Sequence, residues 1–91
     1  MERLIIRIEK NKKFIEYNKP LLIFVDDIDA AGLVTCASYT GHTSGEYSAL
    51  IKQTRPITPA ELVTFNGYIY GYNLADFKII KRRAGGFNNE K

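Results

Sequence analysis

With 91 residues, the chain has the length of a single small domain, and its 45% hydrophobic and 25% charged residues are typical of a folded protein. Its single cysteine and single histidine exclude an intramolecular disulfide and a histidine-rich metal site, and its net charge of +3 is low for a dedicated nucleic-acid domain. The longest uncharged apolar run, Leu21 to Val25, is too short to cross a bilayer. We therefore expect a cytoplasmic protein with one α+β domain over residues 1–83 and a flexible tail over residues 84–91.

The strand signals predict a mixed or antiparallel sheet of about four to five strands. Runs of β-branched and apolar residues mark the first strand and a central strand at Leu21–Val25. An acidic turn from Asp26 to Gly32 separates the central strand from the next one, as in a hairpin. The predicted strands are residues 3–9, 13–17, 21–25, 33–39 and 76–82.

Two Thr-x-x-Glu patterns predict two short helices packed on one face of this sheet, because such a pair of side chains caps the first turn of a helix. Thr43 and Glu46 predict a helix at about 43–54, and Thr58 and Glu61 predict one at about 59–71. The end of the second helix is ambiguous, since Asn66-Gly67 is also a strong hairpin signal. Residues 62–72 are therefore either helix or hairpin, and the start signal favours helix.

The charge is unevenly distributed along the chain. Residues 1–20 carry six basic and three acidic side chains and residues 78–91 carry five and one, whereas residues 21–77 carry two and six. If the end strands lie side by side, they would form a basic face that attracts phosphate or an acidic partner. The alternative, which the low net charge favours, is that the basic side chains protect a strand edge from unwanted pairing.

The glycine- and hydroxyl-rich segment before the first predicted helix is the candidate ligand site. Glycines let the backbone approach a ligand closely, and the free N–H groups of a helix start favour an anion. A phosphate also requires a full positive charge, which Arg55 would supply. The predicted ligand-binding residues are Gly41, His42, Thr43, Ser44, Gly45 and Arg55. The alternative is a self-capped helix, in which Thr43 and Glu46 satisfy those N–H groups.

Catalytic and metal sites are not predicted. Residues 41–46 lack the lysine that a P-loop places after its second glycine, and the stretch from Asp27 has Ser38 where a calcium loop places its bidentate glutamate. Cys36 is expected inside a strand, where cysteines are usually inert, so it does not form a nucleophile pair with His42. No enzyme activity, metal or cofactor is therefore predicted.

Tyr68, Tyr70 and Tyr72 are the predicted interface residues, because tyrosine is enriched in interface hot spots. The alternative is that some of them complete the thin core. A thin core without disulfides also predicts a homo-oligomer. Together these features predict a non-catalytic protein that binds a phosphate-bearing ligand such as a nucleotide. The alternative function is a protein-binding inhibitory or regulatory module, of the kind that phages and mobile elements often encode, which occupies the surface of a partner protein.

Overall fold

The computed structural model describes residues 1–10 and 19–82. The predicted strand at residues 13–17 and the predicted tail lie outside these residues. In chain order the elements are β1 (Glu2–Glu9), β2 (Leu21–Ile28), β3 (Val34–Ser38), β4 (Gly41–Gly45), α1 (Tyr47–Gln53), β5 (Thr54–Pro56), α2 (Pro59–Val63), β6 (Tyr68–Ile69), β7 (Tyr72–Asn73), a short 3-10 helix (Leu74–Asp76) and β8 (Phe77–Ile80). Neither of the two α-helices in this part of the chain has the length and hydropathy that a membrane span requires.

Six strands form one mixed sheet in the order β4-β3-β2-β1-β5, and β8 also pairs with β1. The strands β5 and β8 share one edge of β1: β8 runs parallel to residues 2–5, and β5 runs antiparallel to residues 7–9. The α+β class and four of the predicted strands, now β1, β2, β3 and β8, are confirmed. The two end strands do lie side by side, as the basic-face hypothesis requires.

The two helices cover opposite faces of the sheet, so the prediction of two helices on one face was wrong. Leu62 of α2 and the β6–β7 hairpin pack over the side of the sheet that contains Leu4 and Phe24, which we call the α2 face. Leu50 and neighbouring residues of α1 pack over the side that contains Ile5, the α1 face. Because β1 and β2 are apolar on both sides, each face requires its own cover.

The segment predicted to begin the first helix forms the edge strand β4 instead. It follows β3 through a two-residue turn, and its five residues pair with β3, with Thr43 opposite Cys36. The helix α1 begins at Tyr47, and its N-cap residue Glu46 makes no side-chain capping bond. A Cβ at Gly45 would lie 3.2 Å from the side chain of Leu50, so this glycine provides the space in which α1 packs. Strand pairing thus prevailed over the local capping signal.

The second helix begins as predicted and ends earlier. Thr58 accepts a hydrogen bond from the Glu61 N–H, and the Glu61 carboxylate accepts one from the Thr58 N–H, which completes the capping box. The helix ends at Val63 rather than at residue 71, and Asn66 and the glycine after it both have positive φ. The chain then forms the β6–β7 hairpin, but its turn lies at Tyr70-Gly71 and not at Asn66-Gly67. Both turn residues have positive φ, as this hairpin type requires.

Candidate functional site

A groove of about 310 Å³ opens on the α2 face and combines side chains from six strands. One wall comes from the chain start and the end of β2, and the other comes from β4 and the β6–β7 hairpin. The lining residues are Glu2, Phe24, Asp27, Thr35, His42, Tyr72 and Phe77. The groove therefore depends on the pairing of β1 with β8 and on the position of the hairpin, both of which are long-range features of the fold.

Three aromatic rings form the floor of the groove. The ring centroids of Phe24 and Tyr72 lie 5.2 Å apart, those of Phe24 and Phe77 lie 5.9 Å apart, and those of Tyr72 and Phe77 lie 6.1 Å apart. The rings are tilted or edge-on to one another, the arrangements that aromatic quadrupoles favour. Phe24 is buried, whereas Tyr72 and Phe77 are half-buried and keep part of their surface open to the groove.

His42 and Tyr72 bring one predicted ligand residue and one predicted interface residue together. His42 Nε2 and the Tyr72 hydroxyl share a hydrogen bond, and the two rings meet edge to face at a centroid distance of 6.0 Å. This contact connects the edge strand β4 to the hairpin across the α2 face. It fixes the position of the phenol ring in the floor of the groove.

Two carboxylates, Glu2 and Asp27, give the groove a negative charge. They lie at the start of β1 and near the end of β2, two strands that pair antiparallel and so place these ends together. Neither carboxylate forms an ion pair with a described residue, and no lysine or arginine of residues 1–10 and 19–82 lines the groove. The groove is thus suited to a positively charged group and repels an anion.

The remaining predicted ligand residues do not assemble around an anion. The segment Gly41–Gly45 pairs with β3 at one edge of the sheet, while Arg55 lies in β5 at the other edge. Four strand spacings, about 19 Å, separate these edges. Arg55 instead binds Glu61 through two hydrogen bonds of 2.7 and 2.9 Å. These bonds raise the pKa of Arg55 and, as the main cause, lower the pKa of Glu61 to about 2.

The three predicted interface tyrosines do not form one surface. The Tyr68 side chain is exposed, and Tyr72 lies in the groove. The Tyr70 hydroxyl donates a 2.7 Å hydrogen bond to the carbonyl of Pro20, which anchors the hairpin to the start of β2. Of the three tyrosines, only Tyr72 therefore lines the groove, while Tyr70 anchors the hairpin and Tyr68 is exposed.

Cys36 and His42 lie on opposite faces of the sheet. Cys36 belongs to the core of the α1 face, whereas His42 pairs with Ala37, a core residue of the α2 face. The Cys36 thiol donates to the Val34 carbonyl, and burial raises its pKa. The two side chains cannot act as a nucleophile and its base. Within residues 1–10 and 19–82, no three His, Cys, Asp or Glu side chains are grouped as a metal site requires.

Most of the groove residues escaped the sequence analysis. Phe24 was assigned only to a central strand, which is confirmed, and Asp27 was assigned to a turn, which was wrong because β2 continues to Ile28. Glu2 joins them through the antiparallel pairing of β1 with β2, and Phe77 joins only because β8 pairs with β1 in parallel; no local pattern specifies either pairing. Comparisons with protein-family models, with curated proteins and with solved structures gave no match. The function must therefore be argued from the groove itself.

Proposed function

We propose that the protein is a non-catalytic binding module whose groove holds a lysine or arginine side chain of a partner protein. The observation that carries this proposal is the aromatic floor of Phe24, Tyr72 and Phe77 beside two carboxylates that form no ion pair with a described residue. A cation near aromatic rings gains about 0.5–2 kcal/mol, depending on how far it is desolvated, and the carboxylates add charge complementarity.

The size of the groove supports a side chain rather than a nucleotide. At about 310 Å³ it lies at the lower end of the range for small-molecule sites, roughly 300–1,000 Å³. Its carboxylates, Glu2 and Asp27, also oppose the phosphates of a nucleotide. These features favour the protein-binding hypothesis over the phosphate-binding one.

The cytoplasm remains the proposed compartment, and homo-oligomerisation remains a prediction. The one cysteine of the chain is a free, buried thiol, which suits a reducing environment. The exposed Tyr68, which is 58% accessible, offers a contact for a second copy that does not involve the groove.

Methylguanidinium tests the groove, because it reproduces the charged end of arginine without a backbone. We expect it to bind wild-type protein in a nuclear magnetic resonance titration, with shifts centred on the amides of Thr35, His42 and Tyr72. We expect Glu2→Gln and Asp27→Asn to weaken binding at least fivefold each. Glu9→Gln makes the same change of charge at the other end of β1 and should leave binding unchanged. Saturable binding of inorganic phosphate at these amides, with none of methylguanidinium, would contradict the proposal.

A further inference from the structure

The edge strand β4 lacks the features that normally protect a sheet edge. Among the described residues it pairs only with β3, and its sequence Gly-His-Thr-Ser-Gly contains no charge and no proline. The opposite edge is divided between two shorter strands that carry Arg55 and Pro56 in β5 and Lys78 in β8. Natural sheets use such charges, prolines and short strands to block pairing at an edge. By this criterion β4 is the edge that remains open to a partner.

The outer hydrogen-bonding groups of β4 belong to His42 and Ser44. Ser38 and Gly41 form the last pair of the β3–β4 ladder and enclose a turn of two residues, so they exchange backbone hydrogen bonds with each other. Bonding alternates along an antiparallel strand, which directs the backbone groups of Thr43 and Gly45 toward β3 as well. The N–H and C=O groups of the two intervening residues therefore point away from the sheet.

Ser44 also belongs to a row of side chains that ends in the groove. Ser44 is the register partner of Thr35, and Thr35 is the register partner of Phe24. Register partners in adjacent strands direct their side chains to the same face, so these three residues form a row across the α2 face. Thr35 and Phe24 both line the groove. A side chain added next to Ser44 on this face would thus lie in line with the aromatic floor.

We propose that β4 binds an extended segment of the partner protein as an additional antiparallel strand, with a lysine or arginine opposite Ser44 whose side chain crosses β4 and enters the groove. This inference rests on the proposed function of the groove. The added strand would lie two strand spacings, about 10 Å, from Thr35. Only the end of a long side chain therefore passes Ser44 and reaches the part of the groove formed by His42 and Tyr72, and the two groove carboxylates act on its charge across the groove rather than by direct contact. Lysine and arginine combine that reach with the required charge.

The charge around β4 agrees with a basic partner. Residues 21–77, which include β4 and most of the groove, carry six acidic and two basic side chains. One of the two basic residues, Arg55, is neutralised by Glu61 at the far edge of the sheet. The exposed Glu46 follows β4 directly and adds a further carboxylate beside the added strand. Backbone pairing would supply affinity, and these charges would select the sequence.

The experiment uses an acetylated, amidated heptapeptide, Thr-Val-Thr-Arg-Thr-Val-Thr, and calorimetry with wild-type protein. We expect it to bind at least tenfold more tightly than methylguanidinium. The two valines lie two residues from the arginine, so their N–H groups face β4. N-methylation of both valines removes these hydrogen-bond donors and should weaken binding at least tenfold. N-methylation of the adjacent residues blocks the other edge and should have little effect.

A pair of variants examines the same bond from the side of the protein. Ser44→Pro removes the outward N–H while leaving the ladder to β3 intact, since proline is tolerated on an edge strand. We expect Ser44→Pro to weaken heptapeptide binding at least tenfold and to leave methylguanidinium binding unchanged. Ser44→Ala keeps the N–H and should change neither affinity.

The outcomes separate the two proposals. If methylguanidinium does not bind, the groove does not hold cations and the proposed function is wrong. If it binds but the two N-methylated peptides bind equally well, strand addition is wrong and the groove proposal stands. The protein could also form a dimer that the Ser44→Pro substitution dissociates and that the heptapeptide does not disrupt. That result would show that a second copy occupies β4, and would also overturn this inference.

Discussion

The two faces of the sheet are covered by helices that are held in opposite ways. On the α1 face, Ile5, Ile23 and Val34 are fully buried, and the end of α1 rests on a buried arginine. On the α2 face, the helix is held at its start by surface hydrogen bonds, and the aromatic side chains beside it remain partly exposed. Both faces thus bury core side chains, and the α2 face in addition keeps the aromatic groove open.

The arginine on the α1 face is Arg7, which is 6% exposed. Its guanidinium donates to the carbonyls of Ile51 and Thr54 and to the Thr54 hydroxyl, at 2.6 to 3.0 Å. The Thr54 hydroxyl in turn donates to the Leu50 carbonyl. A cation suits the negative end of a helix, and these bonds satisfy carbonyls that the last turn leaves without partners. Burial, the main cause, lowers the pKa of Arg7, since no described carboxylate pairs with it.

The arginine on the α2 face is Arg55, which forms its ion pair near the protein surface. Arg55 pairs with Glu61, and both side chains keep some contact with solvent. Glu61 also closes the capping box with Thr58, so a single carboxylate serves both the ion pair and the helix start. Interactions of this kind are individually weak and sensitive to pH. Because buried contacts hold α1 and surface contacts hold the start of α2, we expect the start of α2 to open locally more readily than the end of α1.

Replacing Arg7 should have the largest effect on stability. Arg7→Met removes the guanidinium donors of the buried Thr54 carbonyl and hydroxyl and one of the two donors to the Ile51 carbonyl, and relief of the buried charge offsets only part of this cost. We expect a loss of about 3 kcal/mol in the free energy of unfolding, measured by urea denaturation. The matched control is Arg3→Met on the same strand, because Arg3 forms an exposed ion pair with Asp26 and should cost at most about 1 kcal/mol. Equal losses in the two variants would show that Arg7 is not the main support of α1.

Acid should weaken the α2 face through Glu61. Its pKa falls from 4.5 to about 2 in the folded protein, mainly because Arg55 donates to it. The stabilisation is therefore complete above pH 4.5 and is lost as the pH falls toward 2. Comparing wild type with Glu61→Gln isolates this residue, because the Arg3–Asp26 pair is common to both. Allowing for solvent screening, we expect wild type to lose about 2 kcal/mol more across this range. Parallel stability curves would contradict this expectation.

Local sequence patterns predicted the features that depend on a few neighbouring residues. They failed for features that depend on contacts between elements far apart in the chain. The start of α2 was predictable, because Thr58, Pro59 and Glu61 supply the cap, the first residue and the closing carboxylate within four positions. The groove was not, because it requires the parallel pairing of β1 with β8 and the hairpin turn at Tyr70-Gly71. The segment Gly41–Gly45 was correctly singled out, but its role was not. It forms an edge strand, whose backbone groups pair with β3 or point outward instead of surrounding an anion.

The two Thr-x-x-Glu patterns offer the most sensitive comparison, because the same motif has two different outcomes. Thr58 accepts from the Glu61 N–H at 3.2 Å, so Thr58→Ala should lower the free energy of unfolding by about 1 kcal/mol, the usual cost of a lost N-cap. Thr43 lies exposed in β4 and caps no helix, so Thr43→Ala should cost less than about 0.5 kcal/mol. Urea denaturation of both variants measures the difference. A loss at Thr43 equal to that at Thr58 would mean that a capped helix forms at both motifs, and that the open edge of β4 does not exist in solution.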